Sequence, residues 1–246
     1  MKSSRRSLLV GVAGAALCAG GSAWWSHQAA SRYLSGETAD FEALFAAPPA
    51  ANSDAARREL DELLDLQYRR TPAEVAAAQA DRKKDVSRFY EALGLDTGHP
   101  PDLPALQKLT DRAEAEIGPY VREAKSKFRR LRPYEIEPKL KPCIGDVKGD
   151  LSYPSGHATY GYLMGYLLSE LVPERRALLM KRAEEFARQR MVCGVHFRSD
   201  IEAGQRAAYF LFGKMHESAA YRQDAIDASV ELRAALGFAP RPPRPY

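Results

Sequence analysis

The sequence is poor in the side chains that build metal and disulfide frameworks, with 3 cysteines and 5 histidines in 246 residues. Two of the cysteines, Cys143 and Cys193, lie beyond the first thirty residues, too few for a structural zinc site without well-spaced histidines. No apolar run of roughly 18 residues follows that leader, which argues against a membrane-spanning topology. The mean hydropathy of −0.41 points the same way. Lysine and arginine do not form blocks interleaved with aromatics, so nothing suggests a nucleic-acid partner. Repeats and low-complexity tracts are absent as well. What is present, 45% hydrophobic and 28% charged residues, fits one globular domain with a substantial core.

The leader is a different kind of sequence. Met1-Lys2-Ser3-Ser4-Arg5-Arg6 is basic, Leu8 to Gly20 is apolar and small, and Gly21-Ser22-Ala23 or Ala29-Ala30 offers a cleavage point. This pattern predicts an export signal over residues 1–29, twin-arginine-like, and a mature domain over residues 30–246 that is periplasmic or secreted. Removing Lys2, Arg5 and Arg6, with no acidic residue before Glu37, takes the formal charge from +4 to +1. The basicity of the whole chain therefore says little about partners, and no stable membrane insertion is expected once the signal is gone.

Helical signals fill the rest. Thr71-Pro72-Ala73-Glu74 reads as a capped helix start, with the helix running to about Leu95. Pro104 to Ile117 reads as another, ended by Gly118-Pro119, which also starts the next. In that next helix Val121, Ala124, Phe128 and Leu131 form a buried face. Lys125 and Arg132 flank it two turns apart, about 10 Å on one helix side. Lys127, Arg129 and Arg130 surround them, so a plain solvated basic face is the other reading. From Pro133 to Gly149 the chain has no period, and Asp146, Lys148 and Asp150 either shape access to a site or are ordinary loop residues.

Three stretches carry chemistry. Pro154-Ser155-Gly156-His157 precedes an apolar run, which puts Ser155, Gly156 and His157 at a helix N-terminus, where unpaired N–H groups attract anions. Ala183, Phe186, Ala187 and Arg190 fall at i, i+3, i+4 and i+7, so Arg190 points inward and needs either a carboxylate or a bound anion. His196 and Asp200 are four apart, which on a helical turn lets the carboxylate accept from the imidazole Nδ1–H and leave Nε2 bare. Such a pair is also common without function.

Taken together, Lys125-x6-Arg132-Pro133, Pro154-Ser155-Gly156-His157 and Arg190-x5-His196-x3-Asp200 resemble the three-part signature of the type-2 phosphatidic acid phosphatase superfamily. Arg70-Thr71-Pro72-Ala73-Glu74, Leu151-Ser152-Tyr153 and the run Cys193 to Asp200 are similar to its soluble bacterial class A non-specific acid phosphatases. That resemblance implies an all-α, single-domain helical bundle of the vanadium haloperoxidase/acid phosphatase type. It also implies an acid phosphatase acting on small phosphate esters with no cofactor and no metal. Lys125, Arg132, Ser155, Gly156 and Arg190 would hold the phosphoryl oxygens, His196 would attack phosphorus, Asp200 would orient His196, and His157 would protonate the leaving group. Gln189 departs from the family pattern, which usually has serine before the third-motif arginine.

A lipid-phosphate or diphosphate phosphatase shares this chemistry, and a vanadium-dependent haloperoxidase shares the motifs. A non-catalytic phosphate-binding helical protein with a decayed site has only Gln189 in its favour. Homo-oligomer formation is left open. Cys143 and Cys193 are expected to be joined, tying the irregular loop to the base of the third motif across about fifty residues; two separate buried thiols are the alternative.

Overall fold

The computed structural model describes residues 33–34, 44–145 and 149–241. The regular secondary structure of these residues is helical, as the resemblance implied. The leader read as an export signal lies outside the described residues. The chain forms α1 (Asp54–Arg69), α2 (Pro72–Ala80), α3 (Tyr90–Leu93), α4 (Pro104–Phe128) and α5 (Pro133–Ile136). After these come α6 (Gly156–Leu171), α7 (Arg176–Val192), α8 (Arg198–Met215) and α9 (Ala219–Ala235). Among the described residues no helix is long and apolar enough to cross a membrane.

α2 and α4 differ in extent from the sequence reading. α2 starts with the expected box, in which Thr71 Oγ1 accepts from the Glu74 N–H at 3.2 Å and Glu74 accepts from the Thr71 N–H at 2.8 Å. It stops at Asp81 instead of continuing to Leu95. Asp81 is buried, and its carboxylate accepts from Arg88 Nε at 2.9 Å and Arg182 Nη2 at 2.6 Å. The chain turns to hold that ion cluster and resumes as a 3-10 turn, Val86–Phe89, and α3. α4, by contrast, runs straight through Pro119. Proline removes one N–H bond, but Ala113, Glu116, Ile117, Val121 and Ala124 are buried on either side of it, and that packing outweighs a single lost bond. Leu103 offers α4 no side-chain cap; Glu231 of α9 supplies one, accepting from the Ala105 and Leu106 N–H groups at 3.0 and 2.9 Å.

α6 is the central element. Leu163, Met164, Leu167 and Leu168 are fully buried, and the helix packs most extensively on α7 and α8 while also meeting α4 and α9. Small residues set how close those neighbours come. A β-carbon at Gly165 would lie 2.7 Å from the Ala183 Cβ of α7. One at Gly204 of α8 would lie 2.8 Å from both the Ala158 Cβ and the Ser155 carbonyl oxygen. The start of α6 and the first two turns of α8 therefore touch through backbone, and the Ser155 N–H donates to the Asp200 carbonyl at 3.0 Å.

Gly204→Ala tests this contact. The added methyl meets backbone that cannot rotate away, so α8 must shift off α6. Thermal or urea unfolding is expected to show a loss of about 1–3 kcal/mol. A variant as stable as the parent would mean that the two helix starts are not held together in this way.

Candidate active site

Asp200 sits in the first turn of α8 with no solvent exposure. Phe197 precedes the helix and cannot cap it with a side-chain acceptor, so Asp200 reaches back and accepts from the Phe197 N–H at 2.9 Å. The same oxygen accepts from His196 Nδ1 at 3.2 Å and from the Ser152 hydroxyl, while the other accepts from Arg130 Nη1 at 2.8 Å. Burial pushes the Asp200 carboxyl up, against the pull of Arg130, Ser152 and the Phe197 N–H. The sequence reading placed His196 and Asp200 on one helical turn. His196 instead lies just before the helix, and the pairing comes from the carboxylate folding back over the start of α8.

His196 is itself buried. Its Nε2 lies 2.6 Å from Arg132 Nη1. A guanidinium has donors only, so Nε2 must present its lone pair and the proton must be on Nδ1, toward Asp200. Burial, then Arg132, Lys125, Arg190 and His157, hold the imidazole well below its usual pKa. The ring is neutral, and the four groups that act on it electrostatically are the predicted site residues.

The cations arrive from three elements. Lys125 lies in the last turn of α4, but Arg132 is not on that helix: Arg129 adopts a left-handed conformation with φ 48° and ends it. Asp150 brings the two together, its Oδ1 2.6 Å from Lys125 Nζ and its Oδ2 paired with Arg132 Nη2. Arg132 is also anchored on backbone, Nη1 donating to the Val195 carbonyl at 2.7 Å and Nε to the Asp150 carbonyl at 3.2 Å. Arg190 lies in the last turn of α7 and is 4% exposed, yet its Nε and Nη1 have no hydrogen-bond partner among the described residues. Burial and the nearby Arg132 guanidinium pull its pKa down to about 10. Of the two readings of an inward arginine, no carboxylate among the described residues pairs with it, and the orphaned donors suit an anion. The neighbouring Gln189 Oε1 is also buried without a partner among the described residues.

Ser155 caps α6, its Oγ accepting from the Ala158 N–H at 3.2 Å, which leaves its own proton to donate. Gly156 is the first residue of that helix, so its N–H has no intrahelical acceptor. His157 Nε2 donates to the Arg82 carbonyl at 2.8 Å, and the ring stacks on Phe186. Burial, then the Arg190 charge, lowers His157 to about 3. Cys143 and Cys193 are joined in a disulfide, with the Cys143 N–H donating to the Cys193 carbonyl at 3.2 Å, so the loop after α5 is fastened to the end of α7.

Three participants lie outside the set of predicted site residues. Arg130, grouped there with the solvated basic face, is buried between Asp200 and Glu59 and lies 3.8 Å over the Phe197 ring. Its neighbours Lys127 and Arg129 are exposed, as that reading had it. Ser152 is fully buried and was noted only as part of a resemblance. Asp150, read as either shaping access or an ordinary loop residue, lies on Lys125 and Arg132; Asp146 and Lys148 lie outside the described residues. Clefts of about 640 and 440 Å³ open along Tyr166 and Tyr209 and are lined by none of these groups, while one of about 550 Å³ reaches Arg130 from the side of α1. Among the described residues no cluster of three or more His, Cys, Asp or Glu side chains could hold a metal ion.

Residues 116–224 match the PAP2 superfamily. The chain is 30% identical to the non-specific acid phosphatase of Providencia stuartii, over 78% of this chain and 81% of that protein. It is 33% identical to the acid phosphatase of Zymomonas mobilis, over 57% of this chain and only 54% of that one. In fold it is similar to a bacterial vanadium-dependent iodoperoxidase, with a TM-score of 0.51 and 18% identity over 70% of this chain and 51% of that one.

Arg130→Ala should test the buried charge network. It leaves Asp200 and Glu59 without their shared cation, and breaking a buried pair from one side costs about 3–5 kcal/mol. Urea unfolding reads that loss; a change below about 1 kcal/mol, the range of a surface pair, would contradict the arrangement.

Proposed function

Because the chain belongs to the PAP2 superfamily, with bacterial non-specific acid phosphatases among its relatives, and is a phosphatase, we propose that it is an exported, metal-independent phosphomonoesterase of broad substrate range, working through a phosphohistidine. The observation that carries this reading is the state of His196. It is buried and neutral, its Nδ1–H is on Asp200, and its Nε2 lone pair faces the cationic cluster. The leader over residues 1–29 supports export, and the relatives' name supports the broad range.

A phosphate monoester dianion repels nucleophiles, so it must be neutralised before attack. Lys125, Arg132 and Arg190 supply the charge, and the Ser155 hydroxyl and Gly156 N–H complete the set of donors to the nonbridging oxygens. His196 Nε2 then bonds to phosphorus as the ester P–O bond breaks. The imidazole gains positive charge, which Asp200 stabilises through Nδ1–H. His157 has its Nε2–H committed to the Arg82 carbonyl, so the proton it exchanges is on Nδ1. Without an anion its pKa is too low for that proton to be present near neutrality. Burial lowers it most and the Arg190 charge next; a phosphoryl dianion on Arg190 offsets that second part and raises the pKa when a proton is needed. His157 gives that proton to the leaving oxygen, then takes one from the water that attacks the phosphohistidine, and phosphate leaves with His196 restored.

His196→Ala is expected to abolish turnover of p-nitrophenyl phosphate without unfolding the protein. In the parent, trapped phosphoenzyme should be stable in alkali and labile in acid. Appreciable activity in the variant, or label stable to acid on serine, would overturn the reading. His157→Ala should slow the phosphorylation step, read as the burst of released alcohol, by about 10²–10⁴-fold for an alkyl phosphate and far less for p-nitrophenyl phosphate, whose leaving group needs no proton. Equal losses on both would rule out the general-acid role.

Full activity should survive EDTA, because the three cations do what a divalent ion would do elsewhere. Vanadate should inhibit as a five-coordinate mimic. Loss of activity on chelation, recovered with Zn²⁺ or Mg²⁺, would contradict metal independence.

A further inference from the structure

We propose that Asp150 is a tethered competitor for the phosphoryl group, its carboxylate lying across Lys125 and Arg132 so that a phosphate ester must displace it to reach them. This inference rests on the reading of the pocket as a phosphate site. The two Asp150 oxygens are divided between the two cations, Oδ1 on Lys125 Nζ at 2.6 Å and Oδ2 on Arg132 Nη2. Two nonbridging oxygens of a phosphoryl group would make the same pair of contacts.

The carboxylate differs from a structural counter-ion in where it comes from. Its side chain is 38% exposed, whereas Lys125 and Arg132 are 13% and 7% exposed. Asp150 therefore approaches from the solvent side and can return to water without stranding a buried charge. Asp200 is the contrast: it is fully buried, and its partners include the backbone N–H of Phe197. Nor does Arg132 need the Asp150 side chain to stay in place, because Val195 and Asp150 hold it by their backbone carbonyls. Arg190 keeps its orphaned donors. The pocket thus has one cation with open donors and two whose donors are lent to an internal anion. Phosphate gains Arg190 outright and gains Lys125 and Arg132 only by exchange.

Removing the charge should tighten phosphate binding. Asp150→Asn keeps the size and backbone of the residue, and Asp150→Ala removes the competing oxygens altogether. Titration calorimetry with inorganic phosphate, on the full mature chain at fixed pH and ionic strength, is expected to give a Kd lower by about tenfold in both variants, the effect of losing one charge-assisted contact. Arg190→Ala serves as the reference and should weaken binding. If either Asp150 variant binds phosphate no more tightly than the parent while Arg190→Ala weakens it, Asp150 orients the cations and the competitor inference is overturned. If Arg190→Ala leaves phosphate binding unchanged, the phosphate-site reading itself fails.

Discussion

The geometry of the site depends on one buried carboxylate. Asp200 accepts from Arg130 at the end of α4, from Ser152 in the segment before α6, from the Phe197 N–H that opens α8, and from His196. The donors come from three separate stretches of chain, His196 and Phe197 being adjacent, and the Asp200 carbonyl takes a further N–H from Ser155. A fully buried anion is tolerable only when its lone pairs are all used, so the four donors are fixed as firmly as the acceptor. That network orients His196 and makes it the proton-bearing partner on the Nδ1 side.

The electrostatics follow from the same arrangement. Around His196 lie Lys125, Arg132 and Arg190, and the carboxylates within reach are divided: Asp200 faces Nδ1 and Arg130, Asp150 faces Lys125 and Arg132, and Asp81 is engaged by Arg88 and Arg182. Arg190 is left with orphaned donors at the end of α7. Both histidines are held neutral by burial and by that positive surround. An anion binding there would raise the pKa of His157 as well as fill the donors, which couples binding to readiness for proton transfer.

Much of this was legible from the residues. The caps at Thr71 and Ser155, the inward Arg190 and the apolar α6 follow from local patterns that the tertiary structure keeps. Local pattern failed where long-range contacts decide. Pro119 was read as a break because periodicity cannot register how well both sides of the proline are packed. Asp81 ends α2 because of Arg88 and Arg182, the latter a hundred residues away in sequence and without any local signal. Arg130 lies among exposed Lys127 and Arg129 and differs from them only through Glu59 and Asp200, which no spacing rule connects to it. Lys125 and Arg132 were paired correctly for the wrong reason: the helix between them ends, and Asp150 restores the proximity.

The central claim is that hydrolysis proceeds by two displacements at phosphorus, the first by His196 and the second by water. The most direct measurement is the stereochemical course with a phosphate monoester made chiral at phosphorus by oxygen isotopes, transferred to an alcohol acceptor so that the configuration can be read. Two in-line displacements predict overall retention. Inversion would mean a single direct attack on the substrate, with no phosphohistidine between, and would contradict the account.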